Sequence, residues 1–321
     1  MKTTYLLLCL LGIGSVSGAG QTKQPQKIGD FIESTSYNEH RRNATRSLQY
    51  TPDGDDFVCI NGKNRFTRAL YGSHTAFRLE TSDRPVFAAY TKENPKHICF
   101  KLQTSGGTVA LDSTEHCESR YTAGRRSYSL SDPAFGGGSL SITTWALPDK
   151  EGAIWQFNAR NFKEFHPVLL ASISEIRNSK LNRNGDMGAD PADSFEAPLQ
   201  PQQLQSFPVQ IDGTLYILLE NQELRTLTTA EGENLFKKAE AARSETASRI
   251  RIETPDPYFN TLGGTLAMAA DGIWDGEVWL HGAIGWRMPL SGWRAAYTGD
   301  VLGWHDLSLI HISEPTRLQL I

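Results

Sequence analysis

Several things are scarce in this sequence of 321 residues, and each scarcity excludes a class of protein. There are four cysteines and no CxxC or paired CxxH spacing, so no structural zinc module is encoded. No GxSxG stretch occurs, which removes the usual nucleophile elbow of serine hydrolases. Lys and Arg number 32 against 36 Asp and Glu, a formal charge of −4, so the dense basic surface that grips a phosphate backbone is absent. Nucleic acid is therefore not an expected partner. The apolar run over residues 5–13 falls short of the roughly 20 residues that span a bilayer.

Both ends of the chain differ in texture from the middle. Lys2 precedes the apolar run, and Ser17, Gly18 and Ala19 supply small residues for cleavage, the three-part pattern of a secretory signal over residues 1–20. Export to a periplasm or the extracellular space is expected, with no membrane anchor after cleavage. At the other end, residues 307–317 read LSLIHISEPTR, which matches the translation of a transposase adapter used in preparing sequencing libraries. Residues 307–321 are accordingly expected to be an adapter-derived artefact, and the natural chain to be interrupted after Asp306. Beyond the signal remain Cys59, Cys99 and Cys117, which read as buried structural residues, with a bridge from Cys99 to Cys117 left open.

What is present falls into two periodicities. After a polar arm at residues 21–50, the stretch 51–228 alternates apolar and polar positions between turn residues. Ile98, Phe100 and Leu102 alternate, Ser105-Gly106-Gly107 turns, and Val109 and Leu111 resume, which predicts a hairpin with one packed face. Similar runs near 76–90, 139–160, 167–176 and 213–220 predict a β-sandwich. Thr228 with Glu231 three residues on reads as a capping box opening a linker helix over 229–250, with Leu235, Ala239 and Ala242 on one face. Asp256 and Pro257 then read as N-cap and first helical position of a second helix carrying Phe259, Leu262, Leu266 and Ala270 at helical spacing. Gly263 and Gly264 inside it predict close approach by a neighbouring helix. The expected fold class is mainly β: an N-terminal β-sandwich, a linker helix, and residues 251–306 as the truncated start of an (α/α)6 helical barrel.

Five of the seven tryptophans fall within residues 271–306: Trp274, Trp279, Trp286, Trp293 and Trp304. An indole offers a flat apolar face and one N–H donor, which matches the C–H faces and hydroxyl edges of a sugar ring. Interleaved with them are Asp271, Asp275, Glu277, His281, Arg287, Arg294, Tyr297, Asp300, His305 and Asp306. Glycosidic cleavage usually needs one carboxylic acid to protonate the leaving oxygen and a second carboxylate to activate water or attack carbon. Glu277 and Asp300 are the candidate catalytic groups. Trp274, Asp275, Trp279, His281, Trp286, Arg287, Trp293, Arg294 and Tyr297 are the candidate substrate-binding groups.

Residues 254–306, TPDPYFNTLGGTLAMAADGIWDGEVWLHGAIGWRMPLSGWRAAYTGDVLGWHD, resemble the opening of the helical domain in six-hairpin glycosidase-like proteins of exported bacterial polysaccharide-degrading systems. The layout is similar over residues 45–306. That resemblance implies a sandwich, a linker helix and an (α/α)6 barrel, acting on oligosaccharide or polysaccharide. Related rhamnosidases carry an Arg, Trp, Gly, Asp constellation, to which Trp293, Arg294, Gly299 and Asp300 are the similar positions. Because residues 251–306 hold at most three helices of the twelve, this chain by itself is expected to be inactive.

No cofactor or metal is implied. The loop at residues 181–196 gathers Asn182, Asn184, Asp186, Asp190 and Asp193, but Met187 stands where a calcium loop wants glycine, so it reads as a surface loop. Two rivals to hydrolysis remain. One is a non-catalytic glycan-binding or scaffold protein, and the other a lyase or epimerase on the same barrel using His281 or Tyr297 for proton transfer.

Overall fold

The computed structural model describes residues 50–63, 68–72, 74–75, 77–90, 96–162, 166–175, 203–282, 288–290, 297 and 299–305. The signal segment, all of the polar arm but Tyr50, the loop 181–196, Trp286, Arg287, Trp293, Arg294, Asp306 and the adapter-like end lie outside the described residues. The first strands are β1 (Thr51–Asp53), β2 (Asp56–Ile60), β3 (Arg68–Leu70), β4 (Arg78–Thr81), β5 (Val86–Tyr90), β6 (Lys96–Thr104) and β7 (Gly107–Ala110). Next come β8 (His116–Thr122), β9 (Arg125–Ser131), β10 (Ser139–Ala146) and β11 (Gly152–Arg160). The last are β12 (Val168–Glu175), β13 (Gln203–Pro208), β14 (Thr214–Glu220) and β15 (Glu223–Leu227). Two helices follow, α1 (Thr229–Ala247) and α2 (Pro257–Gly272).

The protein is mainly β, as the alternation predicts. One antiparallel sheet runs β1-β2-β8-β9-β10-β11-β14-β15, and a second runs β13-β12-β6-β5-β4-β3 with β7 paired to β6. Between them lies a core of inward-facing residues including Leu79, Ile98, Phe100, Leu102, Tyr128, Ile142, Trp155, Phe157, Leu169 and Ile217. Aromatic edges meet faces at its centre: Phe87 and Trp155 have centroids 5.4 Å apart, Phe100 and Trp155 5.7 Å, and Phe100 and Phe157 5.1 Å. Each such pair contributes about 0.5–1.5 kcal/mol beyond the area it buries, which fixes how the sheets stack. Tyr50 belongs to this core, its hydroxyl accepting from Arg126 Nη2 at 2.9 Å.

The first sheet is apolar on both faces where α1 covers it. Trp145, Ile154, Tyr216 and Leu218 point outward and pack against Leu235, Phe236 and Ala239. Trp145 meets Phe236 edge to face at 4.2 Å, and its Nε1 donates to Glu240 Oε2 at 2.7 Å. The capping box forms as expected: Thr228 Oγ1 accepts from the Glu231 amide, and Glu231 Oε2 accepts from the Thr228 amide at 3.0 Å. Such a cap stabilises the helix start by about 1 kcal/mol. The helix stops at Ala247, earlier than the expected 250.

Helix α2 also begins where expected, the Asp256 carboxylate accepting from the Tyr258 amide at 2.9 Å ahead of Pro257. Leu262 packs against the core as expected, but the rest of the buried face differs from the expected one. Thr261, Gly263, Ala267, Met268 and Gly272 are buried, whereas Phe259 and Leu266 are 36% and 48% exposed. The reason is close approach: a Cβ on Gly264 would lie 3.2 Å from the Ala247 carbonyl oxygen, and one on Gly263 2.8 Å from that of Ile250. The small residues set the docking side, and the larger apolar residues are turned outward. Thr261 Oγ1 completes the seat by donating to the Gly54 carbonyl in the β1–β2 turn at 3.1 Å.

No disulfide forms among the three described cysteines. Cys99 lies in the second sheet, its Sγ 2.8 Å from Ser172 Oγ, while Cys117 is buried in the first sheet. The open bridge between them is therefore not made. Burial pushes the Cys117 thiol up to about 12, so it is not a nucleophile at neutral pH. Among the described residues, no helix is long and apolar enough to cross a membrane.

Candidate functional site

The tryptophan-rich segment is delivered by the C-terminal end of α2, and a residue of the sandwich fixes that end. Arg78 in β4 is fully buried, stacks on the Tyr71 ring at 4.9 Å, and donates to the carbonyls of Phe77 (2.6 Å), Thr75 (2.7 Å) and Gly272. Gly272 is required there, since a Cβ would meet the Tyr71 ring at 2.3 Å. One residue earlier, Asp271 Oδ1 stands 3.4 Å from His74 Nε2. A guanidinium donating to three carbonyls at once is a rigid clamp, which a lysine ammonium cannot reproduce.

From this anchor the chain makes a narrow hairpin. The Leu280 amide donates to the Ile273 carbonyl at 2.9 Å, and Trp274 and Trp279 form an antiparallel bridge. Asp275 Oδ1 closes the tip by accepting from the Glu277 amide at 3.0 Å and the Val278 amide at 2.8 Å. Gly276 occupies φ +99°, a region that favours glycine. Asp275 is thereby committed to shaping the turn, and the Glu277 side chain is left exposed at its tip.

The structure brings three of the five tryptophans together. Trp274 and Trp279 have centroids 4.7 Å apart, and Trp304 lies 6.2 Å from Trp279. Trp279 is fully buried and donates Nε1 to the Ala270 carbonyl at 3.2 Å, and Trp274 is 6% exposed. Ile273 and Leu290 close around them, and the Arg249 guanidinium lies 4.8 Å over the Trp304 ring while donating to the Leu302 carbonyl at 3.1 Å. Trp274 and Trp279 thus make a packed floor, and their rings do not offer an open face in this arrangement.

The remaining candidates are at the surface. His281 is exposed, with its amide donating to the Met288 carbonyl at 2.9 Å. Tyr297 is 67% exposed. The Asp300 carboxylate is about half exposed and pairs with His305, Nδ1 to Oδ1 at 3.3 Å. Trp274 and Trp279 are therefore buried and Trp304 partly so, while Glu277, Asp300, His281 and Tyr297 are exposed. Carboxylates in solvent can exchange protons with a bound molecule, which is the elementary act of acid and base catalysis.

Where the sandwich, α1 and α2 meet, the cavity lined by Tyr71, Trp145, Arg243, Met268 and Asp271 holds only about 40 Å³. Counted as space open to water centres, of which one water needs about 10–15 Å³, it takes roughly three waters and no sugar ring. Among the described residues, no group of three or more His, Cys, Asp or Glu side chains is placed to hold a metal ion. Sequence reasoning missed Arg78 and Tyr71, because nothing in the RLE and LYG contexts marks them as partners of a helix end some 200 positions later.

A family model for a domain of unknown function, DUF4450, matches residues 95–250. The matched segment runs from β6 through α1 and ends before the tryptophan-rich hairpin. No curated protein matches the chain.

Proposed function

We propose that this is an exported protein of the glycoside hydrolase type, acting on polysaccharide-derived glycans with Glu277 and Asp300 as its acid and base groups. One observation carries this reading: the hairpin tip capped by Asp275 holds Glu277 out in solvent over a floor of packed indoles whose anchor is the sandwich itself. A side chain fixed by its backbone on a rigid base is what proton transfer at a set position needs. The substrate is a neutral or weakly charged oligosaccharide, in keeping with a formal charge of −4 and the lack of a basic surface. Signal cleavage after about residue 20 and completion of the (α/α)6 barrel by further helical hairpins belong to the same proposal.

A second reading, non-catalytic glycan binding, draws on the Asp300 carboxylate, which is already paired with His305 Nδ1 at 3.3 Å. Incubating the protein encoded by the complete gene with a panel of plant and mucin glycans separates the two. Release of reducing ends supports hydrolysis. Retention of glycan with no new reducing ends supports binding alone and rejects the catalytic roles.

A further inference from the structure

Asp300 stands on a closed turn over residues 299–305. The Trp304 amide donates to the Gly299 carbonyl at 2.8 Å and the Gly303 amide to the Asp300 carbonyl at 3.2 Å, with Gly303 at φ +76°. Leu302 is buried under the turn at 5% exposure. Arg249, just past the end of α1, holds the turn from outside: it donates to the Leu302 carbonyl at 3.1 Å while its guanidinium lies over the Trp304 ring. Trp304 in turn reaches the buried indoles through Trp279. We propose that Arg249 and His305 are positioning residues for Asp300, and that they make Asp300 the base of the acid and base pair and leave Glu277 as its acid.

This inference rests on the hydrolytic reading above and divides its two roles. His305 Nδ1 is 3.3 Å from Asp300 Oδ1, and an N–H donated to a carboxylate favours the charged form. That form is the one needed, whether the group activates water or attacks carbon. Among the described residues, no Lys, Arg or His forms a salt bridge with Glu277, so the donor that singles out Asp300 has no counterpart there. The acid role falls to Glu277 by elimination. Exposed ion pairs add little to stability, so the consequence of this one is orientation. Asp300 and His305 meet on a backbone that is closed twice and held by Arg249, and no long side chain has to be ordered to bring them together. The two residues therefore act on the same carboxylate by different means, Arg249 on its place and His305 on its direction.

The test uses the complete-gene protein on two substrates, the glycan it hydrolyses best and a dinitrophenyl glycoside of the sugar it releases. Dinitrophenolate departs without being protonated, so only the glycan needs the acid. Glu277→Gln should therefore lose roughly tenfold or more kcat on the glycan relative to the dinitrophenyl glycoside, whereas Asp300→Asn should lose alike on both. His305→Ala, and Arg249→Met, which keeps an unbranched stem over Trp304 but no donor, should follow Asp300→Asn. Each should lower kcat on both substrates by roughly tenfold with KM changed less than about twofold. His305→Gln, which keeps an N–H donor, should recover most of that loss. Because His305 is exposed, its variants should melt at the wild-type Tm, which separates lost positioning from lost folding. A loss confined to the glycan, or an unchanged kcat in either the His305→Ala or the Arg249→Met variant, overturns the positioning roles while hydrolysis stands. No hydrolysis of any glycan by the wild type overturns the hydrolytic reading and this inference with it.

Discussion

His97 shows how much one buried side chain can set the response to acid. It lies in β6, is 3% exposed, and neither ring nitrogen has a hydrogen-bond partner. Burial lowers its pKa from 6.5 to about 4. The unfolded chain therefore takes up this proton first as pH falls, and the native state loses stability from about pH 6.5 down to about pH 4. The shift corresponds to about 3 kcal/mol over that window. Urea unfolding of wild type and His97→Leu at pH 7 and pH 4.5 should give a stability difference that moves by about 2–3 kcal/mol in favour of the variant at low pH. A difference independent of pH rejects the assignment. Arg78 is the second single-residue test. Arg78→Lys retains the charge but not the fork to Thr75, Phe77 and Gly272, and should cost about 2–3 kcal/mol. Near-ultraviolet circular dichroism should show the Trp274–Trp279 pair losing order with it. Neither residue was legible in the sequence, because burial and partnership arise from strands and helices far apart along the chain.

Local elements were largely legible, since their causes are local. The Ile98, Phe100, Leu102 alternation does form β6, the Ser105-Gly106 turn does lead into β7, and both helix starts carry the caps that Thr228, Glu231, Asp256 and Pro257 announce. The facing of α2 was not legible. Apolar spacing singled out Phe259 and Leu266, while packing selected Thr261, Gly264 and Ala267, because close approach of Ala247 rewards small residues that a hydrophobic pattern ignores. The same logic gives a test on α1. Replacing glycine with alanine inside a helix ordinarily stabilises it by about 1 kcal/mol. At Gly232 a Cβ would stand 2.2 Å from the Tyr216 ring, so Gly232→Ala should instead destabilise the protein by about 1–3 kcal/mol, as an overpacked core does, and lower Tm. Thermal unfolding decides it, and a rise in Tm would mean that α1 does not sit on Tyr216 as described.

At the scale of the molecule, the mainly β class followed from many short alternating runs, and the stacking of two antiparallel sheets bears it out. The site was legible only in part. The sequence brought Glu277, Asp300 and the indoles to notice by density, but it could not show that Trp279 is sealed in the floor while Glu277 is exposed, since the same residue types serve both purposes. Trp286, Arg287, Trp293 and Arg294 lie outside the described residues, and their part in the site stays with the resemblance. The central claim is that Glu277 exchanges a proton with a glycosidic bond. Steady-state hydrolysis by the complete-gene protein on its best glycan, compared with Glu277→Gln, tests it most directly. The account predicts a fall in kcat of roughly 100-fold or more with KM changed little, whereas a kcat equal to wild type would contradict it.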